Sequence, residues 1–92
     1  MLIDWAESAL LDLEDIFTYF VSINDTDTGK AIVSALIKSV TRLENFPHSG
    51  KKGKISGTRE LIVTHLPYII VYHQPNDALI EVISVVHTAR LR

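Results

Sequence analysis

What most constrains this chain is the order in which its apolar residues change their spacing. Two segments with helical periodicity come first, a proline closes the second, and three short β-branched or aromatic runs follow. Over residues 7–23, Leu10, Leu13, Phe17 and Phe20, with Ile16 beside them, recur at three- and four-residue intervals and predict a helix with one apolar face. Asp12, Glu14 and Asp15 fall mostly elsewhere, and acids in the first half of a helix suit the positive end of its dipole. Residues 23–29 form a polar break with cap-forming side chains. Ile32, Leu36, Ile37, Val40 and Leu43 predict a second helix over residues 27–45. Pro47 stops it, because proline lacks the amide hydrogen and disfavours helix in the residue before it. So short a break between two helices predicts an antiparallel helical hairpin.

Residues 48–58 carry three glycines and three lysines and read as a loop. Arg59–His65, Tyr68–Gln74 and Leu79–His87 read as strands, and residues 2–5 as a short edge strand. Leu66-Pro67 and Pro75-Asn76-Asp77 supply turns too short for crossovers, so the strands should form an antiparallel meander. Tyr68–Tyr72 is apolar on both faces and suits a central strand. In the last strand Ile80, Val82 and Val86 are expected on one face, with Ser84 interrupting, and Leu79, Ile83 and Val85 on the other. Helices first and strands later give an α+β plan, with an N-terminal helical hairpin packed on one face of a small antiparallel β-sheet. The other face should then carry exposed apolar side chains, a usual mark of a protein–protein contact.

Ninety-two residues hold one core, so residues 1–92 are expected to form a single domain. The absence of cysteine removes disulfides and thiolate metal sites and fits a reducing compartment. No apolar run is long enough to span a bilayer and the start lacks the basic residues of a signal peptide, so a cytoplasmic protein is expected. The net charge of −2 is unevenly spread. All seven acids up to Asp27 precede the first base, Lys30, whereas residues 28–92 hold nine Lys/Arg against four acids. As a whole the chain is a poor polyanion binder, although its second part offers a basic face.

No strong chemical motif is present: no phosphate-binding glycine loop, no zinc-protease signature and no Cys/His cluster, so neither metal nor cofactor is expected. Ribonuclease chemistry needs a base, an acid and cations around the strained phosphate. His87, Arg59, Arg90 and the loop lysines Lys51, Lys52 and Lys54 are the candidates. Histidines at strand ends serve equally as packing residues, and a lysine-rich loop serves equally as solvated surface. Lys51, Lys52, Lys54, Arg59, Arg90 and Arg92 are also the candidate contacts to a nucleic acid or protein target. Trp5, Tyr68 and Tyr72 could stack on bases, but core packing is the better account of all three.

Four stretches, taken in order, resemble one family. Trp5 through Asp12-Leu13 and Ile16 is similar to its opening helix. Phe46-Pro47-His48-Ser49-Gly50-Lys51 followed by Gly57-Thr58-Arg59-Glu60-Leu61 is similar to its helix-ending proline, glycine, basic residue and Gly-x-Arg-Glu-Leu strand opening. Pro67-Tyr68-Ile69-Ile70-Val71-Tyr72 is similar to its Pro-Tyr-x-x-x-Tyr central strand, and His87-Thr88-Ala89-Arg90 to its closing His-x-x-Arg. The chain therefore resembles the RelE/ParE toxins of bacterial type II toxin–antitoxin systems, in the ParE-like branch.

The resemblance implies a growth-inhibiting toxin neutralised by a cognate antitoxin, with any operator DNA bound through the antitoxin. It also implies a choice of target. ParE-type members poison DNA gyrase by binding, whereas RelE-type members are ribosome-dependent mRNA endonucleases acting on the ribosome and its mRNA. The Gly-x-Arg-Glu-Leu and Pro-Tyr features, the slightly negative charge and the lack of an aromatic residue after Tyr72 favour the gyrase-binding branch, and a binder over an enzyme. Arg59 and His87 match positions near the nuclease groove of RelE-type relatives but also occur in ParE-like members, so their presence alone does not discriminate.

Overall fold

A computed structural model describes residues 1–90, with the side chain of Arg90 outside the description. The elements are β1 (Leu2–Trp5), α1 (Glu7–Ser22), α2 (Thr26–Thr41), a 3-10 turn at Arg42–Glu44, β2 (Lys51–Lys52), β3 (Arg59–Ile62), β4 (Tyr68–Asn76), β5 (Leu79–His87) and a 3-10 turn at Thr88–Arg90. The fold is α+β, with two helices packed on one five-stranded sheet of order β1-β5-β4-β3-β2. From β3 to β5 the strands form the expected antiparallel meander, and Lys51–Lys52, expected within a loop, adds an outer antiparallel strand beside β3. The sheet as a whole is mixed, because β1 pairs in parallel with β5, Ile3 opposite Ile80 and Trp5 opposite Val82. That pairing joins segments far apart in the chain, so no local pattern announces it.

The helical hairpin forms as its sequence predicts. Asn24 takes a left-handed conformation (φ 64°), which asparagine tolerates better than most residues. This lets the Asp25 amide reach the Phe20 carbonyl at 2.8 Å and the Asn24 amide reach Val21 at 3.0 Å, the pair of bonds that closes a helix C-terminus. Gly29 is buried where α2 meets α1, and a Cβ there would lie 2.9 Å from the Phe20 Cβ.

The core joins Ala9 and Leu13 of α1, Leu36 and Val40 of α2 and Leu43 to Ile70 and Tyr72 of β4 and Ile80, Val82 and Val85 of β5. Leu10 and Ile37, expected inside, are instead exposed (52% and 44%). Each helix buries only the arc that faces the sheet and its neighbour, and on α1 that arc centres on Ala9, Leu13 and Ile16. The facing pattern of β5 also differs from expectation. The pairing changes register between Val71 and Tyr72, so Val71 faces Ser84 while Tyr72 faces Val82. A bulge of this kind shifts the strand's alternation by one, and Val85, not Val86, enters the core behind Ile80 and Val82. β3 ends at Ile62, so His65 sits in a turn with φ 70° rather than on a strand.

Where β1 ends, α1 takes over the outer edge of β5. The Ala6 amide donates to Val82 at 2.9 Å and the Ser8 hydroxyl to Ile83 at 2.5 Å, while the Asp12 carboxylate accepts the Val85 amide at 2.8 Å. These groups satisfy backbone that would otherwise be an open edge. Asp12→Ala is expected to cost about 1–2 kcal/mol for the lost charge-assisted bond, read as a fall in thermal midpoint; Asp12→Asn, which keeps an acceptor, should lose less. An alanine variant as stable as the parent would show that water replaces the carboxylate.

Candidate functional site

Two of the four sequence stretches singled out above, the Phe46 to Leu61 stretch and the Pro67 to Tyr72 stretch, meet at one knot. Tyr72 is fully buried, and its hydroxyl donates to the Pro47 carbonyl at 2.8 Å and accepts the Gly50 amide at 3.0 Å. Arg59, opposite Tyr72 on the next strand, donates from Nη1 to the Gly50 carbonyl at 2.8 Å and to that of His48 at 3.5 Å. A Cβ on Gly50 would lie 2.8 Å from both the Tyr72 ring and its hydroxyl and 3.0 Å from the Glu60 carbonyl, so only glycine fits without a shift. The proline, glycine, arginine and tyrosine together fasten the segment after α2 to the middle of the sheet. Sequence reasoning placed Arg59 among candidate catalytic cations, and its guanidinium is engaged in holding this segment.

The closing stretch lies beside the Tyr68 end of β4. His87 faces Tyr68 across the β4–β5 pair with ring centroids 5.3 Å apart and planes at 85°, and its Nδ1 accepts the Ala89 amide at 3.1 Å. Since Arg59 pairs with Tyr72 and His87 with Tyr68, four residues of β4 and two strand spacings separate them. That is roughly 13 Å along the strand and about 10 Å across it. His87 lines a pocket of ≈ 360 Å³ whose charged walls are Asp12 and Asp15, surroundings that repel phosphate. Arg90 lies in the turn after His87, and Arg92 is outside the described residues.

Lys51 and Lys52 form the exposed outer strand, paired with Glu60 and Arg59, and Lys54 follows in the loop with its amide bonded to Glu60 Oε2 at 3.1 Å. A short, lysine-bearing edge strand also discourages pairing with other sheets. Tyr68 and Tyr72 are buried and Trp5 packs against the core, so none of them is a stacking platform for bases. Among the described residues no group of three or more His, Cys, Asp or Glu is placed to hold a metal ion, and no helix is long and apolar enough to cross a membrane.

The sheet face away from the helices is apolar at one end only. Ile62, Ile69 and Val86 line up across three strands, with Val71 next to them. Ile62 is 59% exposed. At the other end the same face carries His73 and Glu81, paired at 2.7 Å, with Asp4 opposite Glu81 on β1. The exposed apolar surface is therefore narrower on the sheet than the strand patterns predict. It extends instead to the helical hairpin, through Leu10, Leu11, Tyr19, Val21, Ile23 and Ile37.

The family model for the ParE toxin of type II toxin–antitoxin systems (parDE) matches residues 3–92. The chain belongs to this family. It is 35% identical over 85 residues to Y4kP of Sinorhizobium fredii (strain NBRC 101917 / NGR234), a protein named as a candidate toxin, covering 92% of this chain and 85% of the relative. Its fold is similar to a solved structure described as the chromosomal ParDE TA system from P. aeruginosa, with a TM-score of 0.84, 18% identity and 95% of each chain covered. As a ParE-type toxin it is one half of a toxin–antitoxin pair, and the family implies an antitoxin as its partner. Within this ParE-family chain, the quoted motifs act as fastenings of the fold. Sequence reasoning missed both the Tyr72 knot and the Asp12 bridge, because neither has a local signal: each joins residues more than twenty positions apart.

Proposed function

We propose that this toxin stops growth in the cytoplasm by binding DNA gyrase and poisoning it, without chemistry of its own, and that its cognate antitoxin prevents this by covering the exposed apolar surface. The single observation that carries the choice is the separation of the candidate nuclease groups. Arg59 is bonded to backbone carbonyls beside the middle of β4, and His87 sits at its Tyr68 end in a pocket whose charged walls are two aspartates. A phosphate-cleaving site would need these groups around one phosphate. Membership in the ParE family and the net charge of −2 support the same reading. Lys51, Lys52 and Lys54 are the target contacts this reading favours, and operator DNA is reached through the antitoxin.

Tightly controlled expression tests the proposal. Filamentation with an SOS response is expected, together with inhibition of gyrase supercoiling by micromolar toxin in vitro. His87→Ala should leave that inhibition intact. Unimpaired supercoiling, with rapid arrest of translation and cleaved mRNA, would transfer the chain to the ribosome-dependent nuclease class.

A further inference from the structure

Beside the Tyr68 end of β4 a cavity of ≈ 360 Å³ opens between the helical hairpin and the sheet. Four elements wall it: α1, α2 at Ile32, β4 at Tyr68 and β5 at Val85 and His87. On α1, Asp12, Asp15 and Tyr19 recur at three- and four-residue spacing, so one helix face brings two carboxylates and a ring to the same opening. The rings stand edge to face in two pairs, Tyr19 against Phe20 with centroids 5.1 Å apart and Tyr68 against His87 at 5.3 Å. Asp12 is held in place, because its Oδ2 accepts the Val85 amide at 2.8 Å, and a carboxylate has acceptor sites beyond one such bond. Among the described residues no lysine or arginine lines this cavity, whereas the hollows beside α2 and at the β2–β3 loop each hold two.

We propose that this cavity binds a small organic cation, an ammonium or amidinium group carried on a single apolar or aromatic body. Its volume lies at the small end of ligand sites, which span about 300–1,000 Å³, so it suits a molecule of one ring and is too small for a helix or strand. The apolar body packs against Ile16, Ile32 and Val85, which line the cavity. The charge sits beside Asp12 and Asp15, where the neighbouring rings of Tyr19 and Tyr68 add the attraction of aromatic π-systems for a cation. Rings and enclosure make the cavity a ligand site, and the carboxylates choose the sign of the ligand, since they repel an anion of equal shape. A ligand that touches both helices and both long strands ties the hairpin to the sheet. By mass action it then raises the thermal midpoint of the toxin. The site needs neither the antitoxin nor gyrase, and so is independent of which target the toxin attacks.

The test titrates the full chain with phenethylamine, beside phenethyl alcohol and phenylacetate, which keep the ring but carry no charge and a negative charge. NMR of the toxin should show the amine shifting Ile16, Ile32, Val85 and His87 to saturation, with a dissociation constant of about 0.1–1 mM. The alcohol should bind about fivefold more weakly and the acid not measurably. Asp15 is exposed, so Asp15→Asn should fold with an unchanged thermal midpoint. It should nevertheless bind the amine about fivefold more weakly and the alcohol as before. The double variant Asp12→Asn, Asp15→Asn should no longer prefer the amine to the alcohol. In a melting experiment the amine should raise the midpoint of the parent more than that of Asp15→Asn. Acid bound as well as amine, no loss of amine binding in Asp15→Asn, shifts that climb without saturating, or shifts confined to the Phe46 groove or the β2–β3 loop would each overturn the site.

Discussion

Tyr72→Phe is expected to lower the stability of the free toxin by about 1–3 kcal/mol, although it removes a single oxygen. The ring stays in the core, so the change is confined to the hydroxyl. That hydroxyl accepts the buried Gly50 amide and donates to Pro47, and its loss leaves a buried donor without a partner. Orphaning such a group costs more than the net worth of an ordinary hydrogen bond. For a domain of this size each kcal/mol moves the thermal midpoint by about 4–8 °C. The local consequence is as informative as the global one. Pro47 to Gly50 should loosen from β4, and Arg59 should lose the fixed carbonyl it holds at 2.8 Å. Gly50→Ala attacks the same knot sterically, because its Cβ would sit 2.8 Å from the Tyr72 hydroxyl. In the double variant part of that clash is gone, so the two effects should fall short of additive by about 0.5–3 kcal/mol. Strict additivity in a denaturation series would show that the knot is not a unit.

That knot also shows what the sequence could and could not convey. The helices were legible from periodicity, because an amphipathic stripe is written into neighbouring residues. The stripe's width was not. Leu10 and Ile37 fit the apolar spacing as well as Leu13 and Leu36 do, and only the placement of the sheet decides which side of each helix is covered. The three main strands were legible from their β-branched and aromatic content, but the phase of β5 was not. A bulge at Ile83, between the partners of Val71 and Tyr72, moves Val85 inward, and Ser84 interrupts the apolar alternation there without telling which neighbour turns toward the core. β4 runs through Pro75 to Asn76, where a turn was expected, since the ladder is already irregular between His73 and Asn76 and tolerates a residue without an amide hydrogen. For the candidate site, residue types read from sequence gave a set of cations and histidines. Which of them meet depended on strand register, and the register sets Arg59 opposite Tyr72 and His87 opposite Tyr68, four residues apart along β4 and on different neighbouring strands.

Leu36→Ala should have the largest effect of any single truncation considered, about 2–5 kcal/mol, against a total expected for a chain this long of about 5–14 kcal/mol. Leu36 has no exposure at all and belongs to the cluster that joins both helices to β4 and β5. Removing its branched end leaves a void between layers that a short hairpin cannot close by local adjustment. The helix it anchors has 16 residues, a length at which an isolated helix is marginal in water, so α2 depends on this contact for its order. The denaturation midpoint should fall with little change in slope, and Leu36→Met, which conserves volume, should cost less than about 1.5 kcal/mol. The functional corollary follows from mass action. A partner that binds only the folded toxin stabilises it in proportion to the logarithm of its concentration over its dissociation constant. Leu36→Ala should therefore lose growth inhibition when expressed alone yet be recovered as folded protein when co-expressed with the antitoxin. An alanine variant that unfolds no more readily than the parent would show that α2 is held to the sheet by something other than this core contact.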